Sequence, residues 1–599
     1  MAKIKDMKTD DEGNDYDKSV NEIAIRHGKS IISLLLGMQE AQVQQQKLFR
    51  FIRHLECFCL DPKHDQPKYR NGLQHERRMK RTPVLRRRIN AFQDRKFVAI
   101  SYPWKPSDSK ESCKLKYKVQ NRSGKPFYPS TLRDCVWDRT FNYMRAHDVK
   151  LLWVDRHSIW QPECKVDCTH KMCKQKQAAV QTMDLVYRLS LYPVGLLETR
   201  ICSLDDLDLL ITILEGKLVK GNGKTRQFRL SKATSLDEGE KALRLLIAIT
   251  KDRWWTRAWI FQENYVAWKN MTLLMRHSSD LETRKCKCIA LLGNIPGELS
   301  IKSHEFCHQA TRLCLAISEH RREIKGLDQV LKAAGEYRLL LQTSDSMTAK
   351  VISDVQNRDV GCVSNRIPII ANCCQYSIRL NTGSQQVPSP SLSTLTMCLL
   401  NGEIHDNSLR ELTPGLLSKK TVSGYLEAQL FRGFYAPKSK PNPTFNKGCR
   451  FINVRLRESG VLTSGHLWQL GLTIVAATFP ISKLPRTRRN DDPLTPHQRA
   501  RLAQLATILR SLSHRDLATQ IETYLKRVGA DQPRASTLSR RYLRMMAIEV
   551  VRAIDKKKKL RLASLYEPQS TSPYMAIFLW DDDDNIDRPC HSSHCWGVQ

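Results

Sequence analysis

The sequence predicts an α/β fold in which a parallel sheet carries helices on both faces. Three short apolar segments rich in β-forming residues, 96–102, 149–155 and 192–197, are typical of buried strands. Between them, apolar residues recur at helical spacing within residues 132–144 and again within 179–187. This strand–helix–strand alternation favours a parallel sheet, because parallel neighbours need a crossover connection between them.

A further helix is predicted after the third strand, followed by a less regular region. Ser235 and Glu238 have the spacing of a capping box, which commonly begins a helix. Beyond about residue 276 helical and strand-like segments are mixed. This pattern predicts a mixed α+β C-terminal region.

The region before the predicted sheet is expected to be helical and then basic. Residues 21–56 are predicted to form helix, since apolar residues such as Ile25, Ile32 and Leu35 recur near helical spacing. Residues 70–88 form a basic connector, for which a solvated linker, a phosphate-binding patch and a nuclear-targeting signal are the alternatives. We therefore divide the chain into an N-terminal helical segment with its basic linker (1–91), the α/β domain (92–276) and the C-terminal region (277–599).

The composition narrows the classes of function. With 599 residues, 41% hydrophobic content and 11 Trp, the chain is expected to fold into two to four domains rather than to be disordered. Lys and Arg outnumber Asp and Glu by 97 to 61, and the formal net charge is +36. Such a charge favours anionic partners, nucleic acid among them, although an excess spread over the chain also serves solubility alone.

The termini and apolar segments predict an intracellular protein. Residues 1–17 lack the apolar core of a secretory signal. The longest apolar stretches, such as residues 470–481, are shorter than the roughly 20 residues that cross a bilayer, so no transmembrane segment is expected. We expect a cytoplasmic location, with the nucleus as the alternative, and the 19 Cys as reduced thiols.

Three short motifs follow one another in the α/β region and supply the candidate functional residues. They are Ser101, Tyr102 and Trp104; then Trp153, Asp155, Ile159 and Gln161; then Trp254, Arg257, Trp259, Gln262 and Glu263. Ligands of open parallel sheets bind beyond the carboxyl ends of the strands, where Ser101 and Asp155 are predicted to lie. An Arg among aromatic rings can still pair with a carboxylate, so Arg257 is expected to form a buried ion pair with Asp155 or Glu263. The alternative is structural, with Asp155 capping a turn and Trp104 in the core.

Together the motifs resemble those of the fungal HET (heterokaryon incompatibility) domain. That family reads roughly Ser-Tyr-x-Trp-Gly, then Trp-x-Asp-x-x-Cys-Ile-x-Gln, then Trp-x-x-Arg-x-Trp-x-x-Gln-Glu. The resemblance extends from residue 92 to about residue 274. This sequence departs from the pattern at Lys105, Ser158 and Trp160, where the family commonly has Gly, Cys and Asn.

The resemblance implies a role in fungal non-self recognition, a form of innate immunity that triggers programmed cell death. It also implies a fold similar to TIR domains, with a flavodoxin-like sheet, and some TIR relatives cleave NAD. On that basis NAD is a possible substrate rather than a cofactor, and Glu263 or Asp155 is the carboxylate that stabilises an oxocarbenium-like state. Ser101 would be a polar contact, and Trp104 or Trp259 a stacking surface. The alternative is a non-catalytic module that self-associates or binds a protein partner.

A Cys/His-rich segment is a possible metal site. Cys164, Cys168, His170 and Cys173 are of the residue types that bind zinc. They stand in one tight run, however, whereas typical zinc sites divide their ligands between two separated pairs. A Cys/His-rich loop without metal is the alternative.

Overall fold

The protein is described here by a computed structural model. The structure describes residues 14–61, 81–104, 116–161, 170–222, 227–319, 325–335, 347–384, 386–405, 418–428, 450–475, 479, 494–529, 538–567, 572–580 and 595–597. These residues form two compact units, of which the first comprises the described residues up to 335 together with 347–397 and 418–427, and the second comprises the remainder.

Nineteen strands and twenty-one α-helices lie in the described residues. The strands are β1 Gln42–Gln44, β2 Leu55–Leu60, β3 Thr82–Ile89, β4 Phe97–Ser101, β5 Tyr117–Gln120, β6 Phe127–Pro129, β7 Leu151–Trp153, β8 Tyr192–Ile201, β9 Val219–Asn222, β10 Gln227–Leu230, β11 Thr272–His277, β12 Glu298–Lys302, β13 Ile378–Leu380, β14 Ile452–Arg457, β15 Gly460–Ser464, β16 Trp468–Val475, β17 Lys559–Leu565, β18 Tyr574–Trp580 and β19 Cys595–Gly597. The helices are α1 Val20–His27, α2 Ile31–Glu40, α3 Arg50–Arg53, α4 Asp134–Ala146, α5 Asp155–Ser158, α6 Lys171–Gln181, α7 Met183–Leu189, α8 Leu204–Leu214, α9 Leu236–Thr250, α10 Ala258–Ala267, α11 Glu282–Cys286, α12 Ile289–Leu292, α13 Ser303–Ser318, α14 Leu327–Ala334, α15 Thr348–Gln356, α16 Arg366–Cys373, α17 Pro390–Leu400, α18 Val422–Ala428, α19 Pro496–Ser511, α20 Arg515–Gly529 and α21 Leu538–Asp555.

The first unit is built on a nine-stranded mixed sheet with the order β12-β11-β8-β4-β7-β2-β3-β5-β6. The strands β7, β4, β8 and β11 are mutually parallel and flanked by helices, which confirms the predicted α/β class. Taken in chain order, these four strands have the spatial arrangement 2-1-3-4, which is that of the first four strands of a flavodoxin-like sheet. All five residues of β4 are buried, as expected for a central strand covered on both faces.

The N-terminal region differs from the helical prediction. Residues 21–56 form three helices separated by turns, together with β1 and the start of β2. Gly28 ends α1 at φ 58°, a left-handed conformation that glycine adopts without strain. Residues 82–88 of the predicted basic connector lie in β3, which pairs with β2. Opposite charges favour this pairing, because Glu56 on β2 forms ion pairs with Arg86 (2.6 Å) and Arg88 (3.3 Å) on β3.

The compact units also cross the expected boundaries at residues 91 and 276. Strands β2 and β3 extend the α/β sheet on one side, and β12 pairs antiparallel with β11 on the other. The three-part division of the chain at residues 91 and 276 stays a prediction.

The second unit has its own core. Strands β16 to β19 form an antiparallel sheet, and β14 pairs with β15 in a hairpin. Buried residues of α19, α20 and α21 pack with β17 and β18 in one hydrophobic cluster. Among the described residues, none of the helices is both long enough and apolar enough to span a bilayer.

A buried ion pair joins a helix of the first unit to three strands. Arg139 on α4 makes a two-pronged contact with Glu298 on β12, at 2.5 and 2.8 Å. The same guanidinium donates to the carbonyl oxygens of Leu197 on β8 (2.7 Å) and Leu274 on β11 (2.9 Å). Both charged side chains are at most 10% exposed, so each depends on the other to offset its desolvation.

We expect Glu298→Gln to lower the free energy of unfolding of the first unit by about 3 kcal/mol, because it leaves the Arg139 charge buried without its counter-ion. The measurement is chemical denaturation monitored by tryptophan fluorescence. Asp237→Asn, which breaks the exposed pair with Lys241, is the matched control and should cost about 1 kcal/mol or less. Equal effects of the two substitutions would contradict the assignment.

Candidate functional site

The first two motifs meet at one edge of the sheet, as the sequence predicts. Ser101 is the last residue of β4, and Asp155 begins α5 directly after β7. Because β4 and β7 are parallel neighbours, their carboxyl ends lie side by side. This edge adjoins the switch point between β4 and β8, where open α/β sheets bind ligands.

Asp155 is held by groups from both motifs. The Tyr102 hydroxyl donates to Asp155 Oδ1 (3.1 Å), and Trp104 Nε1 donates to Oδ2 (2.8 Å). The backbone N–H of Arg156 donates to Oδ1 at 2.6 Å. Burial raises the pKa of the Asp155 carboxyl, while these donors and the charge of Arg257 oppose that rise.

Glu263 brings a second carboxyl to the site from the third motif. It lies on α10 and is only 5% exposed. Burial, and then repulsion by Asp155, raise its pKa to about 8, although hydrogen bonds with Ser101 and Tyr187 and the charge of Arg257 act in the other direction. Glu263 therefore holds a proton at neutral pH. The three donors on Asp155 favour its ionised form, whereas burial favours the protonated form of Glu263.

The predicted ion pair of Arg257 is not formed. The charge of Arg257 lowers the pKa of both Asp155 and Glu263, yet its guanidinium lies within 4.0 Å of neither carboxylate. Its backbone is fixed just before α10, where residues 256 and 258 bond with Asp359 (Asp359 N to Thr256 O, 3.0 Å; Ala258 N to Asp359 O, 2.9 Å). Arg257 thus acts on the site through its longer-range field.

Trp254 connects the third motif to the first. Its Nε1 donates to Ser101 Oγ at 3.0 Å, and its ring lies against Gly195 on β8. A Cβ at Gly195 would lie 2.6 Å from the Trp254 ring, so only glycine leaves room for this approach. Asp252 fixes the turn by accepting from the backbone N–H groups of Trp254 (2.9 Å) and Thr199 (2.8 Å).

Sequence reasoning missed three residues of this arrangement, which are Tyr187, Gly195 and Asp252. Tyr187 was identified only as part of an apolar helical stripe, but its hydroxyl also donates to the carbonyl oxygen of Ile100 on β4 (2.8 Å). A glycine within a predicted strand signals a close backbone approach, and this signal could have identified Gly195. Asp252 carried no comparable signal, because its partners on β8 are distant in sequence.

The remaining motif residues lie in different surroundings. Trp153 is fully buried and packs edge-on against the Tyr187 ring at 5.7 Å. Gln262 is fully buried, and its amide oxygen accepts from Asn372 Nδ2 on α16 at 3.0 Å. These two residues serve the packing of the domain. Trp259 is partly exposed on α10, and Gln161 is exposed.

A cavity of about 460 Å³ opens beside the first motif. Trp104 and Gln161 line it together with Arg86, Arg156 and His157, among others, whereas Asp155 and Glu263 do not. Trp104 therefore connects the cavity to Asp155, since it lines the first and donates to the second.

The departures from the family pattern have structural roles where the structure describes them. Ser158 Oγ donates to the carbonyl oxygen of Glu56 (2.6 Å), and the Trp160 ring carries the Arg122 guanidinium 3.7 Å from its centroid. Lys105 lies outside the described residues.

The predicted metal cluster is only partly described. Cys164 and Cys168 lie outside the described residues, while His170 and Cys173 lie at the start of α6. Within the described part of the chain no three His, Cys, Asp or Glu side chains are grouped for a metal ion. The zinc site stays a prediction.

The comparison with protein families agrees with the motifs. Residues 97–263 match the family model described as heterokaryon incompatibility protein (HET). These residues form a HET domain. The match begins at the first residue of β4 and ends at Glu263, so it contains all three motifs and both carboxyls of the site. The HET domain indicates a heterokaryon-incompatibility-type function. No curated protein and no solved structure matches the chain.

We expect the stability of the HET domain to fall as Glu263 ionises. Its pKa rises from 4.5 to about 8 on folding, so the free energy of unfolding decreases as the pH rises between these values and levels off above them. Glu263→Gln removes this titration. Relative to wild type, the variant should gain about 2–4 °C in melting temperature for each kcal/mol recovered at pH 8.5. Thermal scans at pH 5.5 and 8.5 test this, and an unchanged difference between the two proteins contradicts it.

We expect Gly195→Ala to destabilise the HET domain by about 1–3 kcal/mol, because the new methyl group forces the Trp254 ring away from Ser101. Chemical denaturation measures the loss. Gly37→Ala in α2, where an added Cβ meets nothing within 4 Å, is the control and should be neutral or stabilising. A Gly195→Ala protein as stable as this control would show that the contact is dispensable.

Proposed function

We propose that this HET-domain protein acts in non-self recognition and triggers programmed cell death, with cleavage of NAD as the toxic activity. The observation that supports this proposal is the pair of buried carboxyls at the carboxyl end of β4 and β7, in which Asp155 accepts three hydrogen bonds and burial raises the pKa of Glu263 to about 8. The 2-1-3-4 order of the parallel strands agrees with the TIR-like fold that the motifs suggested. Fold alone does not transmit function, so the proposal depends on the carboxyl pair.

The chemistry needs one negative charge near the ribose. When the bond between ribose C1′ and the nicotinamide nitrogen breaks, nicotinamide leaves as a neutral molecule with the bonding electrons. The ribosyl group becomes an oxocarbenium-like cation, which the Asp155 carboxylate stabilises electrostatically. Water then adds to C1′ and gives its proton to Asp155. Glu263, being protonated, does not repel the negative charge of Asp155.

Access to Asp155 depends on Trp104. This side chain is partly exposed and lines the 460 Å³ cavity, and the Arg156 guanidinium lies 5.3 Å from its ring centroid. We propose that Trp104 swings away from Asp155 and stacks on a ring of the substrate. Arg156 and Arg86, which line the same cavity, suit the diphosphate of NAD.

A non-catalytic role is the second candidate. The burial of the two carboxyls and the hydrogen bonds that already occupy Asp155 favour it. Glu263 is only 5% exposed, and Asp155 already accepts from Tyr102, Trp104 and Arg156. In this alternative the motifs hold the domain together, and the domain signals by self-association or through a protein partner.

We expect the purified protein to release nicotinamide from NAD, and Asp155→Asn to reduce the rate by about 100-fold or more, since the anionic group opposite the cation is lost. Liquid chromatography of nicotinamide measures the rate. Asp237→Asn, at an exposed carboxylate on α9, is the control and should keep the wild-type rate. Absence of release at high protein concentration, or release unchanged in Asp155→Asn, overturns the enzymatic proposal.

Inducible expression in a fungal host separates the two candidates. If NAD cleavage is the toxic activity, Asp155→Asn protein that is folded and as abundant as wild type should no longer kill the cells. Continued killing by that variant supports the interaction module. Cell survival with the wild-type protein contradicts both.

A further inference from the structure

A second cavity of the first unit is strongly basic and belongs to none of the roles above. Its volume is about 690 Å³, which is within the usual range for small-molecule sites. Its lining residues are Lys47, Leu48, Arg50, Phe51, His54, Glu56, Arg88, Arg122, Ser158, Ile159, Trp160, Lys171, Lys174, Gln175 and Ala178. Six of these are Lys or Arg, and only one is a carboxylate.

That carboxylate is already neutralised. Glu56 pairs with Arg86 (2.6 Å), Arg122 (2.8 Å) and Arg88 (3.3 Å), so it has little capacity to balance further cations. The cations that remain are Lys47, Arg50, Lys171 and Lys174, which are all exposed and form no ion pair with a described carboxylate. Like charges around one concavity repel each other and create a positive potential that an anion would relieve.

The position of α6 adds to this potential. Lys171 and Lys174 lie in its first turn, which has no acidic residue. Helices favour anions at this end, because the backbone N–H groups there are partly positive. The positive charges of two lysines at this end therefore repel the helix dipole. A bound anion would offset this repulsion.

The floor of the cavity is held by hydrogen bonds and is partly apolar. Arg122 stacks on Trp160 at 3.7 Å and also donates to the carbonyl oxygens of His157 (3.2 Å) and Ser158 (3.0 Å). Phe51 and Ile159 supply apolar wall. Such a floor can support the non-ionic part of a ligand while the surrounding cations bind its charges.

We propose that this cavity binds a small molecule carrying several phosphate groups. The basic groups surround a concavity rather than forming an extended stripe, which favours a compact ligand over a nucleic-acid strand. Nucleoside polyphosphates and inositol polyphosphates share this chemistry. This cavity and the proposed NAD site are separate and lie at opposite ends of one short helix. Asp155 begins the four-residue helix α5, and Ser158, which lines the basic cavity, ends it.

Isothermal titration calorimetry on the full chain tests the proposal, with ATP, inositol hexakisphosphate, AMP and a single-stranded oligonucleotide as probes. We expect ATP or inositol hexakisphosphate to bind with a dissociation constant below about 100 μM in low salt and AMP to bind at least tenfold more weakly. The affinity should fall steeply as salt is added. Whichever of the two polyphosphates binds more tightly identifies the source of the phosphates.

Matched charge reversals locate the binding. Arg50→Glu combined with Lys174→Glu should weaken binding of the polyphosphate by about tenfold or more. Lys232→Glu combined with Lys269→Glu changes the net charge equally at exposed positions outside the cavity and should leave the affinity within about twofold. Melting scans verify that both proteins are folded.

Three results would overturn the proposal. They are binding of neither polyphosphate, equal weakening in the two double variants, and preference for the oligonucleotide with no sensitivity to Arg50 and Lys174. Binding is measured without NAD, so loss of the enzymatic proposal would leave this result unaffected.

Discussion

The approach of the Trp254 ring to the backbone of β8 is the contact on which the arrangement of the HET domain depends. The ring occupies the space that any side chain at position 195 would take, and its Nε1 reaches Ser101 at the end of β4. Asp252 holds the same turn against β8, because its carboxylate accepts from the backbone N–H groups of Glu198 and Thr199 on that strand. The turn therefore sets where α10 begins, and α10 carries Glu263 to Asp155.

Two buried carboxylates close together would repel each other. Protonation of one of them removes this repulsion. Three donors point at Asp155 and favour its ionised form, while burial and the neighbouring carboxyl disfavour the ionised form of Glu263. Arg257 favours the ionised form of both carboxyls from a distance.

The two cavities of this unit share one structural support. Arg86 lines the cavity beside Trp104, while Arg88 and Arg122 line the basic one, and all three arginines converge on Glu56. Ser158 and Trp160, which depart from the family pattern, hold this cluster through Glu56 and Arg122. These two residues, which differ from the family pattern, therefore contact the arginine cluster. Neither of these contacts is with the carboxyl pair.

Sequence alone determined the parallel core and the edge where Ser101 and Asp155 lie, because strand and helix periodicity are local properties and the carboxyl ends of parallel strands share an edge. Sequence alone could not place β2 and β3 in the same sheet. Their pairing involves contacts of Glu56 with Arg86 and Arg88, which are some 30 residues away in sequence. Sequence reasoning also misjudged Arg257, whose backbone is held by Asp359, about 100 residues farther along the chain. Only the tertiary structure decided which carboxyl is protonated, because burial and the separation of charges are properties of the packed domain and of no single motif.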